Sequence, residues 1–181
     1  MALGGLCASA QQKGDMAVGL NLGVAPVLEK YVDLTNFGIG AKFQYNVTNP
    51  IRLEADVDYW FKAKEMDVFD ISANVHYLLH FGEKFTMYPL VGIGYGRVGG
   101  GFSGGGGDYG DYDFNDLLSK YSNDDLDEEI ESSALNRFLF NVGVGVEYNL
   151  TSKLAVGAEI KYQYMKDFNR LPISIGVTYK F

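Results

Sequence analysis

The sequence predicts an all-β chain that closes into an antiparallel, eight-stranded, up-and-down transmembrane β-barrel. Three observations predict it. Apolar and polar residues alternate with a period of two in eight runs, glycine crowds one of the resulting faces, and aromatic residues gather toward the run ends on the other. Side chains leave a strand on alternate sides, so a period of two marks a strand with two unlike faces.

The first run, 16–24, sets Met16, Val18, Leu20, Leu22 and Val24 against Ala17, Gly19, Asn21 and Gly23. The second, 37–47, alternates from Phe37 to Val47 over Gly38, Gly40, Lys42, Gln44 and Asn46, and stops at the turn Thr48-Asn49-Pro50. The third, 51–61, carries Arg52, Glu54, Asp56 and Asp58 on its polar face, and the fourth, 69–81, carries Asp70, Ser72, Asn74, His76 and His80 before the turn Gly82-Glu83-Lys84. The fifth, 85–95, has Gly92 and Gly94 on the polar face and Pro89 on the other. The sixth, 138–150, presents Asn141, Gly143, Gly145, Glu147 and Asn149 and ends at Thr151-Ser152-Lys153. The seventh, 154–164, presents Gly157, Glu159, Lys161 and Gln163, and the eighth, 173–181, presents Ser174, Gly176, Thr178 and Lys180. Of the 48 positions on the bulky face, 47 are Ala, Val, Ile, Leu, Met, Phe or Tyr, so helical spacing has no competing claim.

Composition decides which face is inside. Ten of the 40 polar-face positions are glycine, which weakens a strand and offers nothing to a water-facing surface but fits a narrow, filled lumen. The bulky face therefore points outward, to lipid. Its strand centres are aliphatic or alanine (Ile39, Ala41, Val57, Val144, Ala158), and its ends are aromatic (Phe37, Tyr45, Phe69, Phe85, Tyr95, Phe138, Tyr164, Phe181). Two such girdles are what the two interfaces of a bilayer select. A soluble barrel with its apolar face inward is the alternative, and glycine placement argues against it.

Connections alternate between tight turns and four longer segments, 26–35, 62–67, 100–137 and 166–172. Outer-membrane barrels keep short turns in the periplasm and longer loops outside, so both termini are expected to be periplasmic. Residues 1–10, ending Ala8-Ser9-Ala10, read as the tail of a signal peptide, leaving 11–181 as the barrel domain. Cys7, the one cysteine, falls within that tail, which excludes thiol chemistry from the mature chain. A formal charge of -8 with 15 Lys and Arg in the whole chain argues against a nucleic-acid partner. No apolar run approaches the ~18 residues of a spanning helix.

The last eight residues, Ser174-Ile175-Gly176-Val177-Thr178-Tyr179-Lys180-Phe181, sharpen the reading. With the alternation before them, the chain resembles the small outer-membrane β-barrel family that includes outer membrane proteins A and X, over nearly all of 16–181. The resemblance implies an integral protein of a Gram-negative outer membrane, in contact with its lipid and lipopolysaccharide. It also implies an insertion signal, carried by Ser174, Gly176, Tyr179 and Phe181, that is read by the barrel assembly machinery.

The polar face predicts a lumen filled by a charge network of Lys42, Arg52, Glu54, Asp56, Asp58, Asp70, Glu147, Glu159, Lys161 and Lys180, six acids against four bases. Folding about Thr48 to Pro50 brings Lys42 near Asp56 and Gln44 near Glu54. Paired charges predict a plugged interior, because an unpaired buried charge is costly. A narrow pore for small solutes or ions along the glycine-rich fifth and sixth strands is the alternative.

Some barrels of this kind are enzymes, and Asp70, Ser72, His76 and His80 superficially offer carboxylate, nucleophile and base. Same-face neighbours on a strand lie about 7 Å apart and point into the lumen, so the expectation is no enzyme and no cofactor. Segment 99–137 reads as a long, acidic, glycine-rich extracellular loop. Its part 99–133 holds ten acids against Lys120. Asp108, Asp111, Asp113 and Asp116 are weak Ca2+ candidates whose spacing does not match an EF-hand, and the alternatives are a hydrated surface loop or an adhesive one that meets a surface ligand. The expected role is a structural or adhesive surface scaffold.

Overall fold

The computed structural model describes residues 13–28, 35–63, 66–100, 135–166 and 169–181. Residues 1–10, expected to be the tail of a signal peptide, most of the acidic segment and Asp108, Asp111, Asp113 and Asp116 lie outside them. The described chain forms nine strands: β1 (Met16–Pro26), β2 (Thr35–Asn46), β3 (Ile51–Ala63), β4 (Met66–Tyr77), β5 (Leu79–Phe81), β6 (Phe85–Gly100), β7 (Leu135–Asn149), β8 (Leu154–Met165) and β9 (Ile173–Lys180). All neighbours are antiparallel, in the order β4-β3-β2-β1-β9-β8-β7-β6-β5, and β4 also pairs with β6. The sheet thus closes on itself as an eight-staved barrel, β4 and β5 forming one stave in two pieces.

The break in that stave has a local cause. His76 pairs with Leu90 and Leu79 with Met87, so the register between them sets Tyr77 opposite Pro89. Proline brings no N–H to a ladder, and the pairing lapses there. On its other side the stave stays joined to the β3 side of the sheet, where the Leu78 amide donates to the Pro50 carbonyl at 2.7 Å. Strands also run further than the alternation predicts. β3 and β4 leave only residues 64 and 65 between them, where a longer loop is expected, and β6 and β7 extend to Gly100 and Leu135. Backbone pairing needs no side-chain alternation to continue, which is why the pattern marks strand centres better than strand ends.

The three predicted turns are tight. Thr48 and Thr151 work alike, each hydroxyl accepting the amide three residues on, Ile51 at 3.1 Å and Leu154 at 3.0 Å. Gly82 turns with φ +72°, which a side chain would resist. The first and last strands meet at this same end, where the Phe181 amide donates to the Met16 carbonyl at 3.0 Å.

Register fixes the barrel's shape. A hydrogen-bonded row starting at Tyr148 passes through Val156, Val177, Leu20, Ala41, Val57, Ile71 and Tyr95, and re-enters β7 at Phe138, ten residues from its start. A shear of ten over eight staves tilts the strands by about 40° and leaves a bore that side chains can fill. The faces divide as predicted. Ile39, Val57 and Val144 are exposed, while Arg52, Asp56 and Glu159 are buried.

Candidate functional site

The lumen is where buried chemistry concentrates, and it builds up in tiers from the turn end. Arg52 of β3 is fully buried. Its guanidinium meets Glu147 of β7 at 2.9 Å, donates from Nε to His76 Nδ1 at 3.2 Å and sits 4.7 Å over the Tyr88 ring. Lys180 of β9 reaches Glu147 from the other side at 2.7 Å and donates to Asn149 at 2.5 Å. His76 stacks on Tyr88 with centroids 4.6 Å apart. Because Nδ1 accepts from Arg52, neutral His76 carries its proton on Nε2, which points at Glu54 Oε1, 3.5 Å away.

In the middle tier the β2–β3 register sets Lys42 opposite Asp56 and Gln44 opposite Glu54. Gln44 donates to Glu54 at 2.7 Å, and Lys42 leans to the same carboxylate at 3.5 Å. Asp56 is served by Lys161, from the far wall, at 3.3 Å, by Ser72 at 2.5 Å and by Asn74 at 2.6 Å. Lys161 also lies 3.4 Å from Glu159 and 3.9 Å from Asp58, whose Oδ1 accepts from Asn21. Tyr88 donates its hydroxyl to Glu159 at 3.0 Å.

At the loop end Trp60 donates to Asp70 at 3.0 Å, and Arg170 pairs with Asp70 and Gln163 while lying 5.2 Å over the Trp60 ring. Ala25, Trp60, Val68, Val98, Leu139 and Met165 then form a buried apolar layer. Two internal spaces among the described residues hold about 10 Å³ each, near one water's worth.

Glycines make this filling possible. Tyr88 lies so close to Gly145 that a Cβ there would run into the ring. Gly145→Val is therefore expected to cost about 1–3 kcal/mol by overpacking, measurable as a lower urea midpoint of the refolded barrel. A change below 0.5 kcal/mol (about a third of one tenfold step in the equilibrium constant) would show that the ring has room to move aside.

All ten predicted network residues line the lumen. Arg170 joins them as a fifth base against the six acids, although its segment reads as a loop. It enters through single bridges to Val27 and Gln163, and the even-numbered inward series of β9, carried back through Pro172, reaches it. The structure does not assemble the superficial catalytic set. Ser72 is spent on Asp56, Asp70 on Trp60 and Arg170, and His76 on Arg52, while His80 lies at the turn end with Thr86 at 3.0 Å. Two clusters bring three possible metal-ligand atoms within 4.8 Å of one another, Glu54 with His76 and Glu159, and Asp56 with Asp58 and Asp70. Lysine or arginine already neutralises carboxylates in both.

The family model for the outer membrane protein beta-barrel domain matches residues 1–181. The chain belongs to this outer-membrane β-barrel family. It is an integral outer-membrane protein, and the exposed apolar wall is its lipid face. No curated protein sequence matches the chain. Its fold is similar to that of Neisserial surface protein A, at TM-score 0.70 and 17% identity over 93% of this chain and 100% of that one. It is also similar to Ail, the attachment invasion locus protein of Yersinia pestis, in complex with the heparin analogue sucrose octasulfate (TM-score 0.63, 16% identity, 94% and 100% covered). The N-terminal β-barrel domain of Pseudomonas aeruginosa OprF is similar at TM-score 0.57 and 13% identity, with 94% and 100% covered. At such identities the likeness shows the fold alone.

Proposed function

We propose that this outer-membrane barrel is a non-conducting, non-enzymatic scaffold, with turns and termini in the periplasm and the longer loops at the cell surface. The observation that carries the reading is the cross-lumen network, in which Arg52, Lys161 and Arg170 each bridge separate staves beneath an apolar layer. Water-filled channels need a wider bore than eight staves supply. Insertion would use the terminal strand, whose Tyr179 and Phe181 face outward beside inward Ser174 and Gly176.

Specificity then belongs to the loops, and segment 99–137 is proposed as an adhesive surface. Ail, the attachment invasion locus protein, was solved with a sulfated ligand. Here the ten acids of 99–133 against Lys120 would repel a polyanion, so the surface ligand of this chain is proposed to be cationic.

Planar bilayers test the central reading. Refolded protein is expected to give no current steps above the lipid background. Steady unitary conductance would instead support the narrow pore along the glycine-rich staves.

A further inference from the structure

The lipid face carries a feature that the scaffold role does not use. An apolar furrow of about 1030 Å³ runs obliquely across the outer wall. It starts beside Phe85 and Tyr148 at the turn end and follows two adjacent hydrogen-bonded rows across β7, β8, β9, β1 and β2, ending at Tyr59 near the loop end of β3. Three of the inward residues between those rows are glycines, Gly157, Gly176 and Gly40, and two outward positions on the rows are only alanine, Ala158 and Ala41. The wall is thus thin along a path joining one aromatic girdle to the other.

Shape limits what can lie there. The path curves around most of the staves, whereas a second barrel is rigid and would meet this one along a narrow contact. A hydrocarbon chain is thin, bends with the wall and is already the medium next to it. Charge names the rest of the occupant. Lys84 immediately precedes Phe85, where the furrow begins, and Lys153 is the last turn residue before β8, whose Val156 and Ala158 line it. Both lysines are exposed, and Glu83 is the one acid in those two turns.

We propose that the furrow is a binding site for an anionic phospholipid of the leaflet on the turn side, with an acyl chain along the furrow and the phosphate between Lys84 and Lys153. The choice of leaflet rests on the orientation proposed above, whereas the lipid preference does not. Symmetric vesicles therefore test the site whichever way the barrel inserts, and protease cleavage of the loops reads orientation separately.

The full chain is refolded into vesicles where brominated phosphatidylglycerol or brominated phosphatidylcholine replaces part of the lipid. Ile160→Trp places a fluorophore at the furrow's edge, and Val91→Trp places one on the wall outside it, each six residues from the turn end of its strand. Trp60, buried in the lumen, serves as the unquenched reference. Phosphatidylglycerol is expected to quench the Ile160→Trp variant with about five-fold preference over phosphatidylcholine. No preference is expected for Val91→Trp, nor for Ile160→Trp combined with Lys84→Gln and Lys153→Gln. Equal quenching at the two positions, a preference that survives loss of both lysines, or shielding of the Ile160→Trp probe by a second copy would each overturn the proposal.

Discussion

Unfolding of an Arg52→Met variant in lipid vesicles is expected to require about 3–5 kcal/mol less free energy than unfolding of the parent, the usual loss when one member of a buried ion pair is removed. Arg52 is wholly buried and meets Glu147, His76 and Tyr88 together, so its removal takes from the Glu147 carboxylate its contact at 2.9 Å, while Lys180 stays on the other side at 2.7 Å. The cost should fall mostly on the survivor. Arg52→Met combined with Glu147→Leu and Lys180→Met is therefore expected to regain most of the loss, since apolar replacement of a whole buried ion cluster is often neutral or better. Urea titration followed by heat-dependent gel mobility reads both variants. A single variant within about 1 kcal/mol of the parent would mean that water reaches this tier and screens it.

Val144→Arg is the second large effect, with an expected loss of about 2–4 kcal/mol, because the guanidinium would stand near the middle of the hydrocarbon layer. Val144 lies on β7 between the aromatic positions Phe138 and Tyr148, and its side chain is half exposed on the outer wall. The same change at Phe81, which is on the lipid face but at the turn end, is expected to cost about 0–1 kcal/mol. The gradient between the two sites is the informative quantity. Equal losses at both depths would place the bilayer elsewhere on the wall.

Most of the architecture was legible because closure of a lipid-facing barrel imposes its period on every residue. Alternation assigns Asp56 and Glu159 to the lumen and Val57 and Ala158 to the outside, and the Thr48 turn sets Lys42 opposite Asp56. The ion pairs themselves were less legible. Lys42 serves Glu54 while Asp56 is met by Lys161, because the bore is narrow enough for side chains to cross it, and no neighbour-strand rule reports such cross-lumen reach. Arg170 was hidden for a related reason. It sits beyond Pro172 in a segment without apolar alternation, so only the parity of β9 points inward for it. The inward Trp60 and Leu139 break the polar pattern and read as exceptions, and Val98 and Met165 lie beyond the ends of the alternating runs, yet together they belong to the apolar layer at the loop end. The furrow was invisible to pattern reading, since it depends on which rows the shear of ten brings side by side.

The seam between β1 and β9 carries a consequence for biogenesis. Residues 17–24 find their second backbone partner only in residues 173–180, so the ring is closed by the first and last strands. Every stave must therefore have been made before the ring can shut. Until then the growing sheet would keep a bare margin of amide and carbonyl groups, the kind of edge that recruits stray strands. Loss of even a few residues of β9 should therefore leave the ring gaping rather than merely shortened.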